Sequence, residues 1–414
     1  MTNYNWDEIF RHAIDLVPRC TTPTDLARLL DIPSTTLRSA MARRGLTFPK
    51  LLAQSTYEQE TGIKSLQLQN QALRKEIEYL NRKIGQKAWL RETLVEMSSV
   101  LKLAPVSSPP KAPQAETPQT AVLLLSDVHL GQETPVDLVQ DFGEYNSKIA
   151  EARMRHVFTA FASVVKHQAF PISDVVVFGL GDWVEHAHLR PGHEGRVDLG
   201  VVKQTLQAAD IGGHGLLMLA EQFPRVTFIG IPGNHGRVTS DPRKSSPTEN
   251  FDYMCYRIMQ MMLQDQPNID WIIPESWYVR HNIQGWNFFA IHGEDIRSYA
   301  GFPWYGATRD ARNYVGMFRL AQRRMIRRAS PKTVEELQEC MIVPDYALLA
   351  HFHTEATWES PDIEHFANGA MPGVSAYGAK RIKKINRSSQ RMFFVHPKFG
   401  VTMRCPIDLD DIGI

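Results

Sequence analysis

Asp127-Val128-His129 closes the apolar run Ala121–Leu125, and Gly181-Asp182 closes Val175–Phe178. Further along, Gly233-Asn234-His235 follows Val226–Ile231, His292 follows Trp286–Ile291, and His351-Phe352-His353 follows Tyr346–Ala350. Carboxylates, an amide oxygen and neutral imidazoles are the donors that a pair of borderline-hard divalent cations takes. Strands that carry such groups to one rim of a sheet make a two-metal hydrolase. Along a strand, residues i and i+2 point to the same side. That spacing predicts that Asp127 and His129 grip one ion together and that His351 and His353 share a face. Asp182 follows Gly179 and Gly181, where a sharp turn lets one carboxylate approach both metals.

The elements that must position these groups begin after Lys102–Thr120, a Pro-, Ser- and Ala-rich stretch without hydrophobic period that reads as an interdomain linker. Ahead of it, Trp6–Val17 has helical apolar spacing, and Thr22 with Pro23 marks a helix start. A helix over Asp25–Leu30, the turn Asp31-Ile32-Pro33 and a second helix capped by Ser34 and stopped by Gly45 resemble a helix-turn-helix. Arg38, Arg43 and Arg44 on the second helix are its candidate DNA contacts. Residues 1–50 are therefore expected to form a small all-α module. Next, Leu66, Asn70, Leu73, Ile77, Leu80 and Ile84 follow the alternating four–three spacing of a coiled-coil seam within a long helix over 60–101. Asn70 falls at a core position, the kind of residue that fixes register in a dimer. A homodimer through 66–101 is expected, with an amphipathic helix packed on its own domain as the alternative.

Composition narrows the class. The chain is 43% hydrophobic and 22% charged, ordinary for a core-forming protein, and its net charge of +1 excludes a polymer-coating protein. Any nucleic-acid contact must come from local patches. Cys20, Cys255, Cys340 and Cys405 are scattered without zinc-type spacing and read as reduced structural thiols. No secretory leader and no membrane-spanning stretch is apparent, so a cytoplasmic protein without membrane partners is expected.

Taken in order, the blocks D-x-H, G-D, G-N-H, H and a terminal H-x-H resemble the calcineurin-like metallophosphoesterase superfamily. The resemblance covers 121–414 and includes the Asn368-Gly369 turn. It implies an α/β fold of the α+β kind, a β-sandwich flanked by helices, and two divalent metal ions, for which Mn²⁺ is the first expectation. Matching residue by residue, it assigns one metal to Asp127, His129, Asp182 and His353. The other falls to Asp182, Asn234, His292 and His351, with Asp182 bridging and His235 as the catalytic histidine. Two cations about 3.5–4 Å apart polarise a phosphoryl oxygen and lower the pKa of a water, while an imidazole assists the leaving oxygen.

The departures from the family pattern are informative. Ala350 replaces the glycine of the last block, and Gly236-Arg237 stands where many members carry an acid. His235 is then left to Glu185 or His186 for orientation. Gly181-Asp182-Trp183-Val184-Glu185-His186 lacks the arginine that clamps dianionic monoesters in protein phosphatases. His186 resembles, one residue out of step, a histidine of the break-repair nucleases in this superfamily. An insert over Arg297–Val343 opens with Phe302-Pro303-Trp304-Tyr305 and carries Arg309, Arg312, Arg319, Arg323, Arg324, Arg327 and Arg328. Tyr377–Arg391 adds Lys380, Arg381, Lys383, Lys384 and Arg387. Arg237, His186, Arg323 and Arg327 are the candidate substrate contacts. The expected function is a phosphodiesterase acting on nucleic acid, a DNA nuclease brought to its substrate by the N-terminal module. The alternatives are a small-molecule or cyclic-nucleotide phosphoesterase, and a DNA-binding regulator or scaffold with an inert phosphoesterase fold.

Overall fold

The computed structural model describes residues 5–55, 71, 74, 102–106, 110–111, 117–139, 143–186, 196–299, 302–326, 343–360, 363–373 and 386–413. Every seam position expected over 66–101 lies outside the described residues, as do His188, Arg327, Arg328, Cys340 and Lys380–Lys384. The chain divides into two compact units, 1–93 and 94–414.

In the smaller unit, α1 (Trp6–Leu16), α2 (Pro23–Leu29) and α3 (Ser34–Arg43) pack around Phe10, Ala13, Leu26, Leu37 and Met41. Thr22 caps α2 in a full capping box with Asp25. Ser34, expected as a cap, is instead the first residue of α3, whose cap position is Pro33 and has no side-chain bond. Proline fixes an extended backbone there and lacks a side-chain acceptor. Gly45 ends the helix region at φ 64°.

The larger unit is built on β1 (Gln119–Leu125), β2 (Ile172–Gly179), β3 (Val226–Gly230) and β4 (Ile269–Ile272), parallel neighbours in that order. Between them run α4 (Ser147–Lys166), α5 (Val201–Gln222) and α6 (Phe251–Met262). β10 (Ser389–His396) pairs antiparallel with β1, and β11 (Gly400–Asp408) completes a six-stranded sheet. The second sheet has the order β5 (Tyr278–Ile283), β6 (Trp286–Ile291), β7 (Tyr346–Leu349), β9 (Ile363–Ala367) and β8 (Ala356–Ser360). Gln284 and Gly285, at φ 55° and 89°, make the tight β5–β6 turn.

Alternating residues of both sheets meet in one core. Val122 and Leu124, Val176 and Phe178, Phe288, Tyr346, Phe366 and Phe393 interleave, with Phe288 stacked on Phe393 at 5.9 Å and on Tyr346 at 4.8 Å. β1 is buried along its whole length, as a parallel strand covered on both faces must be. The second sheet is covered by α7 (Trp304–Ile326), which sets Tyr314 and Phe318 on Phe289. The result is the helix-flanked sandwich that the resemblance implies.

The described beginning of 102–120 is bound to the larger unit. The Leu103 amide donates to the Met262 carbonyl at 3.0 Å, and the Val106 amide to Gln266 at 2.8 Å. A carbonyl at the end of α6 has no intrahelical partner, so it accepts a donor from a passing chain. Arg153, buried on α4, donates to the carbonyls of Met371, Asp410 and Ile412 and to the Ser388 hydroxyl at 2.5–3.2 Å. The Met371 amide in turn donates to the Asp127 carbonyl at 3.0 Å, so this clamp reaches the D-x-H loop. Arg153→Met strands several buried acceptors at once and is expected to lower stability by about 3 kcal/mol. Urea unfolding at wild-type midpoint would refute the clamp.

Candidate metal centre

Parallel pairing puts the C-terminal ends of β1, β2 and β3 side by side, and the same holds for β6 and β7 in the second sheet. Each strand stops just short of its polar block. Beyond the stop the chain turns sharply: Asp127, His129, Asp182, His351 and His353 have φ of 50°, 47°, 54°, 69° and 52°. His186 has 53°. Left-handed backbone costs a non-glycine residue about 1–2 kcal/mol. Five candidate ligands sharing that conformation is therefore a local strain the surroundings must sustain. It also corrects the strand-based expectation. Asp127 with His129, and His351 with His353, lie beyond their strands, so no pleat aligns them; consecutive left-handed turns aim them instead. His351 and His353 go to different donor groups.

Loops brace one another by backbone bonds. The Asp127 amide donates to the Gly181 carbonyl at 3.0 Å, His129 to Asp182 at 2.9 Å, and Ala350 to His292 at 2.9 Å. Gly181 and Gly233 touch so closely that a Cβ on Gly181 would lie 2.3 Å from the Gly233 nitrogen. A Cβ on Gly233 would lie 2.2 Å from Asp182 Oδ1. Only glycine at both positions lets the Asp182 carboxylate occupy its place.

Three groups of donor atoms result, each within 4.8 Å: Asp127, His129 and His353; Asp182, His292 and His351; and His129, Asp182 and His235. His129 Nε2 and His353 Nε2 are 3.0 Å apart, with Asp127 Oδ1 3.3 Å from the latter. His292 Nε2 lies 3.1 Å from Asp182 Oδ2 and 3.2 Å from Asn234 Oδ1. The second ring nitrogens are already engaged: His129 Nδ1 with Glu185 Oε2 at 2.7 Å and His292 Nδ1 with the Leu180 carbonyl at 2.7 Å. That arrangement turns each Nε2 inward, as metal-binding histidines are turned. Asp182 Oδ2 is buried and faces a ring nitrogen, His292 Nε2 at 3.1 Å, rather than a backbone amide. A buried anionic oxygen left that way fits a cation. The set of two carboxylates, one amide and imidazoles suits divalent ions with mixed oxygen and nitrogen preference.

Charges within the site follow from the same packing. Burial alone would lower the His292 pKa, yet Asp182 and Asp127 lift it well above the ordinary value. His235 is likewise lowered by burial but raised to about 9 by Glu185 and Asp182. Burial would raise Glu185 and Asp182, but the histidines hold both well below the carboxylate range. His351, buried and beside His292, is pushed down to about 3. The imidazoles of His235 and His292 thus balance the buried carboxylates around them.

Of the other candidates, Glu185 rather than His186 reaches His235, with Oε2 3.1 Å from Nδ1. His186 packs its ring edge-on against Phe251 and takes no place in the three donor groups. Arg237 pairs with Glu294 at 2.9 Å, both largely buried. Arg323 is exposed on α7. In the smaller unit, Arg44 pairs with Asp7 at 2.5 Å and lies over Phe10, Arg38 donates to Thr24 at 3.2 Å, and Arg43 to the Ser39 carbonyl at 3.3 Å.

Sequence reasoning missed Asp252 altogether. Fully buried at the start of α6, its carboxylate accepts the amides of Asp182, Trp183 and Gly233, each at 2.9 Å. Asn250 before it donates to the Gly233 carbonyl at 2.8 Å. An asparagine cap followed by an acid in the first turn is an ordinary helix start, so nothing in the sequence separates this one. Ser126 and Asn368 were equally unmarked as partners: Ser126 donates to Asp127 Oδ2 at 2.7 Å and receives Asn368 Nδ2 at 2.9 Å.

No protein-family model and no curated protein matches the chain. Solved structures do match. A predicted phosphoesterase from Streptococcus pneumoniae is 10% identical over 70% of this chain and 98% of its own, with a TM-score of 0.25. An archaeal phosphodiesterase is 9% identical over 70% of this chain and 99% of its own, TM-score 0.28. The sulfate thiohydrolase SoxB of Thermus thermophilus is 11% identical over 74% and 58%, TM-score 0.32. Likenesses of that size carry no weight. The donor geometry does.

Two outcomes are expected. Asp252→Ala leaves three buried amides unpaired and should lower metal affinity at least tenfold with about 3 kcal/mol of stability, Asp252→Asn doing less because one acceptor oxygen stays. Calorimetric metal titration that gave wild-type affinity for the alanine variant would remove Asp252 from this role. In metal-free protein the His235 ring should titrate near pH 9, above its ordinary 6.5. A raised value means its stabilisation is complete below about pH 6.5 and is lost as pH climbs through 9. Imidazole NMR should show that midpoint drop in Glu185→Gln; an unmoved midpoint would count against the pair.

Proposed function

We propose that the larger unit is a two-metal phosphodiesterase cleaving nucleic acid, most specifically a DNA nuclease, with Mn²⁺ as its ion and the helical unit as a DNA-binding module. One observation carries the hydrolase part: Asp182 groups with His292 and His351 and also with His129, which itself groups with Asp127 and His353, so this carboxylate stands between the two ligand sets. Asp127, His129 and His353 would hold one ion beside it, and Asn234, His292 and His351 the other. Bound there, the pair supplies a polarised phosphoryl oxygen and an acidified water.

The chain's own groups do the rest. His235 is held by its backbone amide, which donates to Asp182 Oδ1 at 2.7 Å, and by its Nδ1 against Glu185. Nε2, the ring atom not facing Glu185, would deliver a proton to the departing oxygen. Glu185, ionised between His129 and His235, stabilises the imidazolium before transfer and its return afterwards.

A diester is favoured over a monoester by charge. The turn Gly181–His186 contains no arginine, and Arg237, which follows the catalytic histidine by two residues, is neutralised by Glu294. No free guanidinium among these blocks meets the second negative charge of a monoester. Nucleic acid is favoured by the exposed arginines of α7 and by the α2–α3 turn, with Arg38 and Arg43 exposed on the second helix.

Purified protein with Mn²⁺ is expected to hydrolyse bis-p-nitrophenyl phosphate and oligonucleotides in preference to the monoester analogue. Asp182→Ala should abolish turnover. His235→Ala should slow it about 10²–10⁴-fold while leaving metal uptake intact. Hydrolysis of monoesters alone, or full activity without Asp182, would overturn the assignment.

A further inference from the structure

α7 carries five arginines against one aspartate, and its exposed face is organised. Steps of 4, 7, 11, 14 and 18 residues from Tyr305 lead to Arg309, Arg312, Gly316, Arg319 and Arg323. At 3.6 residues per turn these lie within about 40° of a single line along the helix. All are exposed. Arg309 is engaged by Asp310 at 2.9 Å, whereas Arg312, Arg319 and Arg323 have no ion-pair partner among the described residues. Guanidinium groups on one line repel one another, and no carboxylate among the described residues offsets that repulsion at Arg312, Arg319 or Arg323.

Gly316 interrupts the ridge midway. A Cβ added there meets nothing within 4 Å, so no packing in the described residues calls for glycine. Glycine in an exposed helix interior is destabilising. What glycine offers is a notch in which a backbone passing over the ridge can come close.

The ridge starts beside the loops that carry His292, His351 and His353. Gly306, in the first turn of α7, approaches the Arg297 carbonyl so closely that a Cβ would lie 2.1 Å from it, five residues after His292. Phe302 reaches Phe352, between His351 and His353, with ring centroids 6.2 Å apart. Trp304 is backed by Phe302 at 4.3 Å and Trp358 at 5.3 Å, yet 53% of its surface is exposed. It is an aromatic platform fixed from behind. Tyr305 beside it is 80% exposed. Aromatic faces of this kind stack on unpaired bases, and a line of arginines follows a phosphate backbone.

We propose that α7 is the track along which a single nucleic-acid strand enters the metal centre, its phosphates on Arg312, Arg319 and Arg323, its backbone lying in the Gly316 notch, and a base on Trp304. This rests on the substrate class proposed above but not on hydrolysis. A duplex is disfavoured because its bases cannot reach Trp304.

The test is binding by the full-length protein of fluorescent single-stranded and duplex oligonucleotides in chelator, across a salt series, with bis-p-nitrophenyl phosphate turnover and melting temperature as controls. Single strands should bind better than duplex. Arg312→Glu with Arg319→Glu should weaken that binding at least tenfold and flatten the salt slope by about 1.4. Small-diester turnover and melting should stay as they were. Trp304→Ala should erase the preference for single strands. Wild-type affinity in the double variant overturns the track while leaving the substrate class standing. Wild-type protein that binds no oligonucleotide overturns both. If the double variant melts early, Gly316→Glu decides, since it adds a carboxylate to open space: unchanged affinity there also overturns the track.

Discussion

The Asp252 carboxylate holds the centre together without belonging to it. Its three accepted amides come from the loop after β2 and the loop after β3, the two that meet glycine on glycine. Burial and the neighbouring Asp182 raise its own pKa to about 6, so keeping it ionised is itself unfavourable. Three charge-assisted bonds offset that cost. The left-handed Asp182 persists because the amides on both sides of its side chain are fixed from below. A loop strained this way needs a partner that cannot move, and a carboxylate on the first turn of a buried helix meets that need.

Electrostatics point the same way. Asp127, Asp182, Glu185 and Asp252 are all buried at one end of the sandwich. Such a collection of anions is costly unless positive charge accompanies it. Without metal, His235 and His292 supply it by staying protonated, while His129 and His351 are held neutral by burial. A cation held by Asp182 would take over that role from His292, which would bind it as a neutral ring, so metal uptake would be linked to release of that proton. His235 keeps Glu185 as its separate counterion, so its charge does not depend on Asp182 alone.

The order of the polar blocks was legible because each follows an apolar run, and chain order alone names the residues that converge. What the sequence misstated was the means. Residues two apart were expected to share a strand face, but the strands end at Leu125 and Leu349, and sharp turns do the aiming. Backbone sign is invisible in Asp127 or His351, which are not glycines. Asp252 and Arg153 were illegible for a different reason. Each acts through backbone groups distant in sequence, and backbone acceptors leave no residue-type signature. Glu185 fell between: Gly236-Arg237 in place of an acid left His235 to Glu185 or His186, and only the 3.1 Å contact with His235 selects Glu185.

The two sheets share the work unequally in sequence but evenly in space. Asp127 and His129 come from the six-stranded sheet, and their companion His353 comes from the five-stranded one. Asp182 and Asn234 come from the first, and His292 and His351 from the second. Neither donor group is complete within one sheet. Each therefore forms only when the core between Val122, Phe178, Phe288 and Phe366 has closed. A ligand that binds only the closed form stabilises it by about 2.7 kcal/mol at a hundred times its dissociation constant. Divalent ions held by these donors would in this sense cross-link the sheets, drawing together groups that the left-handed turns of five candidate ligands have already aimed at one another.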